Sequence, residues 1–159
     1  MVEPLPWHLP AWERVQLARK AGRVPHAWLV NAPAMSGLDI FVEALALALL
    51  CTAEDAPWPC GRCRSCRLGE LGVHPDMNRL TPEEGKSSIL IAGVRETIEK
   101  AVLSRQMAPY LAVLVTPAEA MFEASASVLL KTLEEPPVGT VFILATTRPS
   151  GIMPTVRSR

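Results

Sequence analysis

The stretch Asn31-Ala32-Pro33-Ala34-Met35-Ser36-Gly37-Leu38-Asp39-Ile40-Phe41, NAPAMSGLDIF, lies between two apolar runs, AWLV (27–30) and FVEALALALL (41–50). Strand, loop and helix in that order form the frame of a phosphate-binding loop, whose pattern is G-x-x-x-x-G-K-[ST]. Ala32 stands at the first glycine, Gly37 keeps the second, and Leu38 and Asp39 occupy the lysine and hydroxyl positions. In a working loop, backbone N–H groups cradle phosphates, the lysine reaches the β and γ phosphates, and the hydroxyl holds Mg²⁺. Leu38 carries no charge and Asp39 repels an anion. The stretch is either a nucleotide site without its chemistry or an ordinary strand–loop–helix turn.

The rest of the chain places this stretch in an α/β protein. Residues 10–21 read as a helix ended by Gly22, 26–32 as a buried strand, and 39–51 as a mostly apolar helix. Residues 76–80 are a weak strand, 89–104 a helix by periodicity, 110–116 a strand, 118–134 a helix stopped by Pro136-Pro137, and 140–146 a strand. A short helix is expected within 152–159. Apolar strands alternating with helices predict a parallel sheet covered on both faces, a three-layer α/β fold.

The second strong strand decides whether ATP chemistry survives. Such a strand usually ends in an aspartate for Mg²⁺, often followed by a glutamate that activates water. LAVLV (111–115) runs instead into Thr116-Pro117. Glu119 is expected on a helix surface. Two independent parts of an ATP site have failed together, which predicts no hydrolysis and no ATP bound by this chain.

Composition bounds the function further. With 159 residues, 49% of them hydrophobic, the chain can bury a substantial core. Its longest apolar run, Ala44–Cys51, has eight residues, against about 20 for a bilayer-spanning helix. The first ten residues, MVEPLPWHLP, lack the basic-then-apolar pattern of a secretory signal. The formal net charge is zero, which argues against gripping nucleic acid unaided. A cytoplasmic, reducing setting is the expectation for its four cysteines.

Those cysteines, Cys51, Cys60, Cys63 and Cys66, follow C-x8-C-x2-C-x2-C inside an aperiodic segment rich in Pro, Gly, Cys and Arg (52–75). Four thiolates close the tetrahedral shell of a structural zinc ion. His74 is an alternative fourth ligand, but Cys51, at a helix end, is preferred. Disulfides or a redox pair are the competing readings. Four thiolates on Zn²⁺ leave a charge of about −2, which Arg62, Arg64 and Arg67 can offset; contact with DNA is their other reading.

SVLLKTLEEPP (127–137), FILATTRP (142–149) and the terminal Ser158-Arg159 together resemble the clamp-loader branch of the AAA+ proteins. The cysteine insert and the two failed ATP motifs resemble, within it, the delta-prime family of bacterial DNA polymerase III. Leu129, Leu130 and Leu133 are expected in the core by helical spacing, with Glu134 and Glu135 at a solvated helix end.

The resemblance implies an AAA+ nucleotide-binding-like domain over 1–159, incomplete at its C-terminal end, with a zinc-binding insert at 51–75. It places Thr116 and Pro117 on the Walker B aspartate and catalytic glutamate of active relatives. It places the four cysteines on the family's zinc ligands and Thr146 and Thr147 in the sensor 1 region. Ser158-Arg159 falls on a Ser-Arg-Cys motif whose arginine completes a neighbour's ATP site. The family strand order, 5-1-4-3-2, would put residues 27–32 at a sheet edge once strand five is missing. A lid and a collar domain are expected after Arg159.

The implied function is that of a non-catalytic stator subunit. Its partners would be gamma/tau-type and delta-type subunits in a hetero-oligomer, with the sliding clamp and primed DNA reached through the complex and no membrane. Two alternatives remain: an active gamma/tau-like ATPase, and a zinc-dependent nucleic-acid-binding module.

Overall fold

The computed structural model describes residues 3–102 and 105–158. The elements in chain order are α1 (Leu9–Lys20), β1 (Ala27–Asn31), α2 (Leu38–Leu50), α3 (Arg64–Glu70), β2 (Met77–Leu80), α4 (Ile91–Val102), β3 (Leu111–Val115), α5 (Glu123–Glu134), β4 (Thr140–Thr146) and α6 (Pro154–Arg157). Short 3-10 turns precede α1 (Pro6–His8), follow β3 (Ala118–Ala120) and follow β4 (Pro149–Gly151).

The four strands form one parallel sheet in the order β1-β4-β3-β2. Each side of β3 and β4 is buried, and the period of two divides their side chains between two cores. Ala112 and Leu114 of β3, with Val141, Ile143 and Ala145 of β4, meet Phe41, Val42, Leu45 and Leu49 of α2. Leu111, Val113 and Val115, with Phe142 and Leu144, meet Val94 of α4 and Leu129 and Leu133 of α5. Three layers result, as the alternation of apolar strands and helices predicts. Among the described residues β1 pairs with β4 alone, so it lies at an edge.

Every residue of α2 from Ala44 to Leu50 is buried. The sheet covers one side of the helix, and α1 and α3 cover others. Gly69 of α3 lies so close to Leu47 that a β-carbon there would strike its side chain. The same helix delivers Gly37 at its start and Cys51 at its end.

Three elements differ from the sequence reading. The segment after Cys51 contains a helix, α3, too short to show a period. The expected helix 118–134 is broken: Met121 bridges to Ile89, and Ile89 N–H donates to Ala120 O at 2.9 Å. That pairing takes the backbone out of helical geometry, so α5 starts at Glu123, and for the same reason α4 starts at Ile91 rather than Ile89. Leu130 is half-buried rather than core, whereas Leu129 and Leu133 are buried and Glu134 and Glu135 exposed.

Candidate functional site

The four cysteines converge although they come from three local structures. Cys51 caps α2, its N–H bonded to Leu47 O at 3.0 Å while its extended ψ of 132° turns the chain away. Cys60 lies in the following loop. Cys63 is the N-cap of α3, its sulfur accepting the Cys66 N–H at 3.3 Å, and Cys66 sits in the first turn. All four Sγ atoms lie within 4.8 Å of one another, Cys51 and Cys63 at 3.9 Å. A tetrahedron of thiolates around zinc requires separations of about 3.8 Å. None of the four is in a disulfide. The cluster could hold a metal ion.

Backbone donors favour thiolates here. Ala53 and Cys60 N–H donate to Cys51 Sγ at 3.5 and 3.4 Å, and Cys63 N–H donates to Cys60 Sγ at 3.4 Å. Burial works the other way. At Cys63 burial raises the pKa, but donors from Cys66 and Thr52 outweigh it and bring the thiol to about 6. At Cys60 burial is likewise outweighed, by the N–H groups of Arg62 and Cys63, and the pKa falls. Burial pushes the Cys51 and Cys66 thiols up. A bound divalent cation supplies the charge that holds such a mixed set deprotonated.

The half-buried cation beside the cluster is not one the sequence reading singled out. Arg19 of α1 donates from Nη2 to Cys51 O and lies 4.5 Å over the Trp58 ring. Burial lowers its pKa, and the Cys51 thiolate opposes that most strongly. Arg62, Arg64 and Arg67 are exposed. Arg19 is thus placed to offset thiolate charge from beneath.

His74 is not part of the donor set. Its Nδ1 accepts the Asp76 N–H at 3.0 Å, which leaves the proton on Nε2, 2.7 Å from Ser65 Oγ. Ser65 in turn donates to Leu50 O. His74 therefore braces α3 against the end of α2, and Cys51 is the fourth member of the cluster that could hold a metal ion.

The strand–loop–helix frame is present, and the N-terminal segment packs against its loop. After β1, Ala32 N–H donates to Thr146 O at 3.3 Å, and Ser36 N–H closes a turn on Pro33 O at 3.3 Å. Ser36 O accepts Trp7 Nε1–H at 2.8 Å and lies 3.0 Å from His8 Nε2. His8 Nδ1 accepts the Leu5 N–H at 3.1 Å, so Nε2 carries the donor proton. Beside the loop lies a cavity of 270 Å³ lined by Trp7, His8, Pro33, Leu38 and Phe41 among others, with no lysine or arginine among its described lining residues. Asp39 is exposed in the first turn of α2.

Gly37 also meets a conformational and a steric demand of the fold. Its φ is +77°, and a β-carbon would lie 2.5 Å from Leu5 Cδ1 and 3.4 Å from His8 Cε1. A left-handed residue and a close approach both require glycine.

At the strand ends, Thr116 is half-buried, its N–H bonded to Leu80 O at 3.1 Å, and Pro117 is exposed. Glu119 is not on a helix surface: its side chain is 4% exposed, in the 3-10 turn after β3. The helix break at Met121 is what turns it inward. Thr146 is buried and its Oγ1 accepts the Arg148 N–H at 2.9 Å, while Thr147 is exposed. Arg159 lies outside the described residues.

The family described as DNA polymerase III, delta subunit, matches residues 7–159. The chain is 41% identical to DNA polymerase III subunit delta' of Escherichia coli (strain K12) over 154 residues, covering 97% of this chain and 46% of that protein. It is 38% identical to the subunit of the same name in Pseudomonas aeruginosa over 159 residues, covering 100% and 48%. With DNA polymerase III subunit gamma/tau of Mycobacterium tuberculosis it shares 32% identity over 145 residues, 91% of this chain and 25% of that protein. The chain therefore spans about half the length of the delta' proteins it matches. The crystal structure of a gamma subunit-related protein from Thermotoga maritima superposes on 93% of this chain and 43% of its own, with a TM-score of 0.65 and 22% identity, and shows the same fold.

Proposed function

The chain belongs to the family described as DNA polymerase III, delta subunit, and from that premise we propose that it is part of a non-catalytic, stator-type subunit of a bacterial sliding-clamp loader. One observation carries the reading. The loop that would cradle phosphate has Ser36 O bonded by Trp7 and His8 of its own chain, with Leu38 where a lysine would be needed. With Thr116 and Pro117 at the Walker B positions, neither Mg²⁺ nor water has a carboxylate where the family motif would put one. The same losses weigh against an active ATPase, although gamma/tau proteins are among its relatives.

On this reading the protein contributes to catalysis only in trans. Arg159, at the position of the family's arginine finger, reaches a neighbouring subunit's ATP, where a planar, permanently charged fork meets developing phosphoryl charge. The partners are gamma/tau-type and delta-type subunits; the sliding clamp and primed DNA are engaged through the complex, in the cytoplasm. Zinc, held by Cys51, Cys60, Cys63 and Cys66, has a structural role. It ties α2 to α3 and the loop between them, and its closed shell leaves no position for substrate.

The test uses the full-length protein assembled with active ATPase partners. Arg159→Ala lowers DNA- and clamp-stimulated ATP turnover and leaves assembly and zinc content unchanged. Arg159→Lys restores little, because a point charge does not reproduce the fork. Wild-type turnover in both variants sinks the in-trans role. Tight Mg-ATP binding by the subunit in isolation sinks the stator reading.

A further inference from the structure

We propose that Glu119 is a positioning residue: it pins the β4–α6 connection, the stretch of chain that leads to Arg159, to the C-terminal end of the sheet. The proposal rests on the reading of Arg159 as an in-trans residue.

The connection runs from Thr146 through the 3-10 turn Pro149–Gly151 to α6. Its apolar side is anchored by Ile152 and Val156, buried in the same cluster as Ala118 and Met121. Its polar side is anchored by Glu119 alone among the carboxylates described at these strand ends. Glu119 Oε1 lies 3.5 Å from Arg148 Nε. The Arg148 backbone is held in turn by Thr146 Oγ1, which accepts its N–H at 2.9 Å. Gly151 closes over the same side chain: a β-carbon there would sit 3.1 Å from Glu119 Cβ. One side chain thus meets the connection twice, its carboxylate at Arg148 and its β-carbon beside Gly151.

Its chemistry is more than folding requires. Oε2 is buried and makes no hydrogen bond. Burial raises the carboxyl pKa, yet the Thr146 hydroxyl, a backbone N–H and Arg148 together bring it below the ordinary value, so the group is charged at neutral pH. A buried, half-satisfied carboxylate contributes little net stability, and an apolar residue of similar volume often folds as well or better. What the carboxylate provides is a fixed direction for the chain leaving β4, with no nucleotide needed to order it.

The experiment compares Glu119→Gln, Glu119→Met and Arg159→Ala in the full-length protein. Amide hydrogen exchange at Arg148, Gly151 and Ile152 reads the connection directly. In Glu119→Met these amides exchange about tenfold faster, as local opening becomes easier, while β3 and α2 amides keep wild-type protection. Glu119→Gln, which keeps an acceptor for Arg148, lies between. In the assembled loader, Glu119→Met lowers kcat several-fold with KM for ATP unchanged, at wild-type or higher thermal stability, and adding Arg159→Ala lowers it no further. Unchanged exchange in Glu119→Met overturns the proposal. Faster exchange with wild-type turnover, where Arg159→Ala alone is defective, overturns the link to Arg159. Wild-type turnover in Arg159→Ala instead removes the in-trans reading and the positioning role with it, whatever the exchange shows.

Discussion

Gln16 and Trp58, one on α1 and one in the cysteine segment, grip each other by two hydrogen bonds. Gln16 Nε2 donates to Trp58 O at 2.5 Å, and Trp58 N–H donates to Gln16 Oε1 at 3.1 Å. A side-chain amide here does what a neighbouring strand would do, and it ties the segment to the helix that supplies Arg19. Gln16→Leu leaves a half-buried N–H and C=O unpaired, at a cost of about 1–3 kcal/mol. Denaturant melts are expected to show that loss, with zinc released earlier in the titration than from wild type. A melt identical to wild type would mean that water replaces both bonds freely.

Chelation separates the segment from the sheet. Structural zinc contributes about 10–16 kcal/mol of apparent binding energy in small zinc-finger peptides, and residues 52–63 contain no helix or strand of their own. A strong chelator is expected to raise proteolysis and amide exchange within 52–75 first, while β3 and β4 stay protected. Simultaneous collapse of segment and sheet would contradict this. Elemental analysis of protein purified under reducing conditions should find one zinc per chain, and a metal-free result would remove the site.

Gly37 and Leu5 form a pair that a double-mutant cycle can read. Gly37→Ala meets both the left-handed backbone and the 2.5 Å approach of Leu5 Cδ1. The backbone part costs about 1–2 kcal/mol for any L-residue. Leu5→Ala in the same chain relieves only the steric part. The two substitutions are therefore expected to be non-additive by about 0.5 kcal/mol or more. Simple additivity would show that the N-terminal segment does not bear on the loop.

Asp76 makes stability fall at acid pH. Its buried carboxylate takes N–H donors from Gln106, Met107 and Ala108 at 2.7, 2.8 and 2.8 Å. Burial raises its pKa, but these three donors, with His74, outweigh that and hold it below the ordinary value. A carboxyl depressed in the folded state stabilises fully above its unfolded pKa, about 3.9, and loses that contribution as pH falls through the folded value. Asp76→Asn should cost more at pH 7 than at pH 3 in parallel denaturation series. A pH-independent difference would refute this.

The strong strands were legible because β3 and β4 are buried on both faces and so read as unbroken apolar runs. α2 was legible for the same reason, and the cysteine spacing pointed to the cluster that could hold a metal ion. What the sequence could not reveal were groups whose role depends on a partner far along the chain. Arg19 reads as a surface charge on α1 until Cys51 and Trp58 are folded against it. Glu119 reads as a surface glutamate until the bridge between Ile89 and Met121 breaks the helix and turns it inward. Gly37 was legible as a position but misleading in cause, because the phosphate pattern and a close approach to Leu5 demand the same residue.

The sheet order has a consequence for synthesis on the ribosome. Of the four described strands β1 is made first and its partner β4 last; the paired residues Ala27 and Phe142 are about 115 positions apart. At about 5–20 residues per second, roughly 6–23 s pass between the emergence of the two. β2 and β3 can join in that interval, and α2 can collapse onto them. The strand Ala27–Asn31, with Trp28, Leu29 and Val30, has no partner among the described strands until translation reaches residue 140 and beyond. Nascent chains arrested before that point should expose this strand to chaperones, and those arrested after β4 has cleared the exit tunnel should hide it.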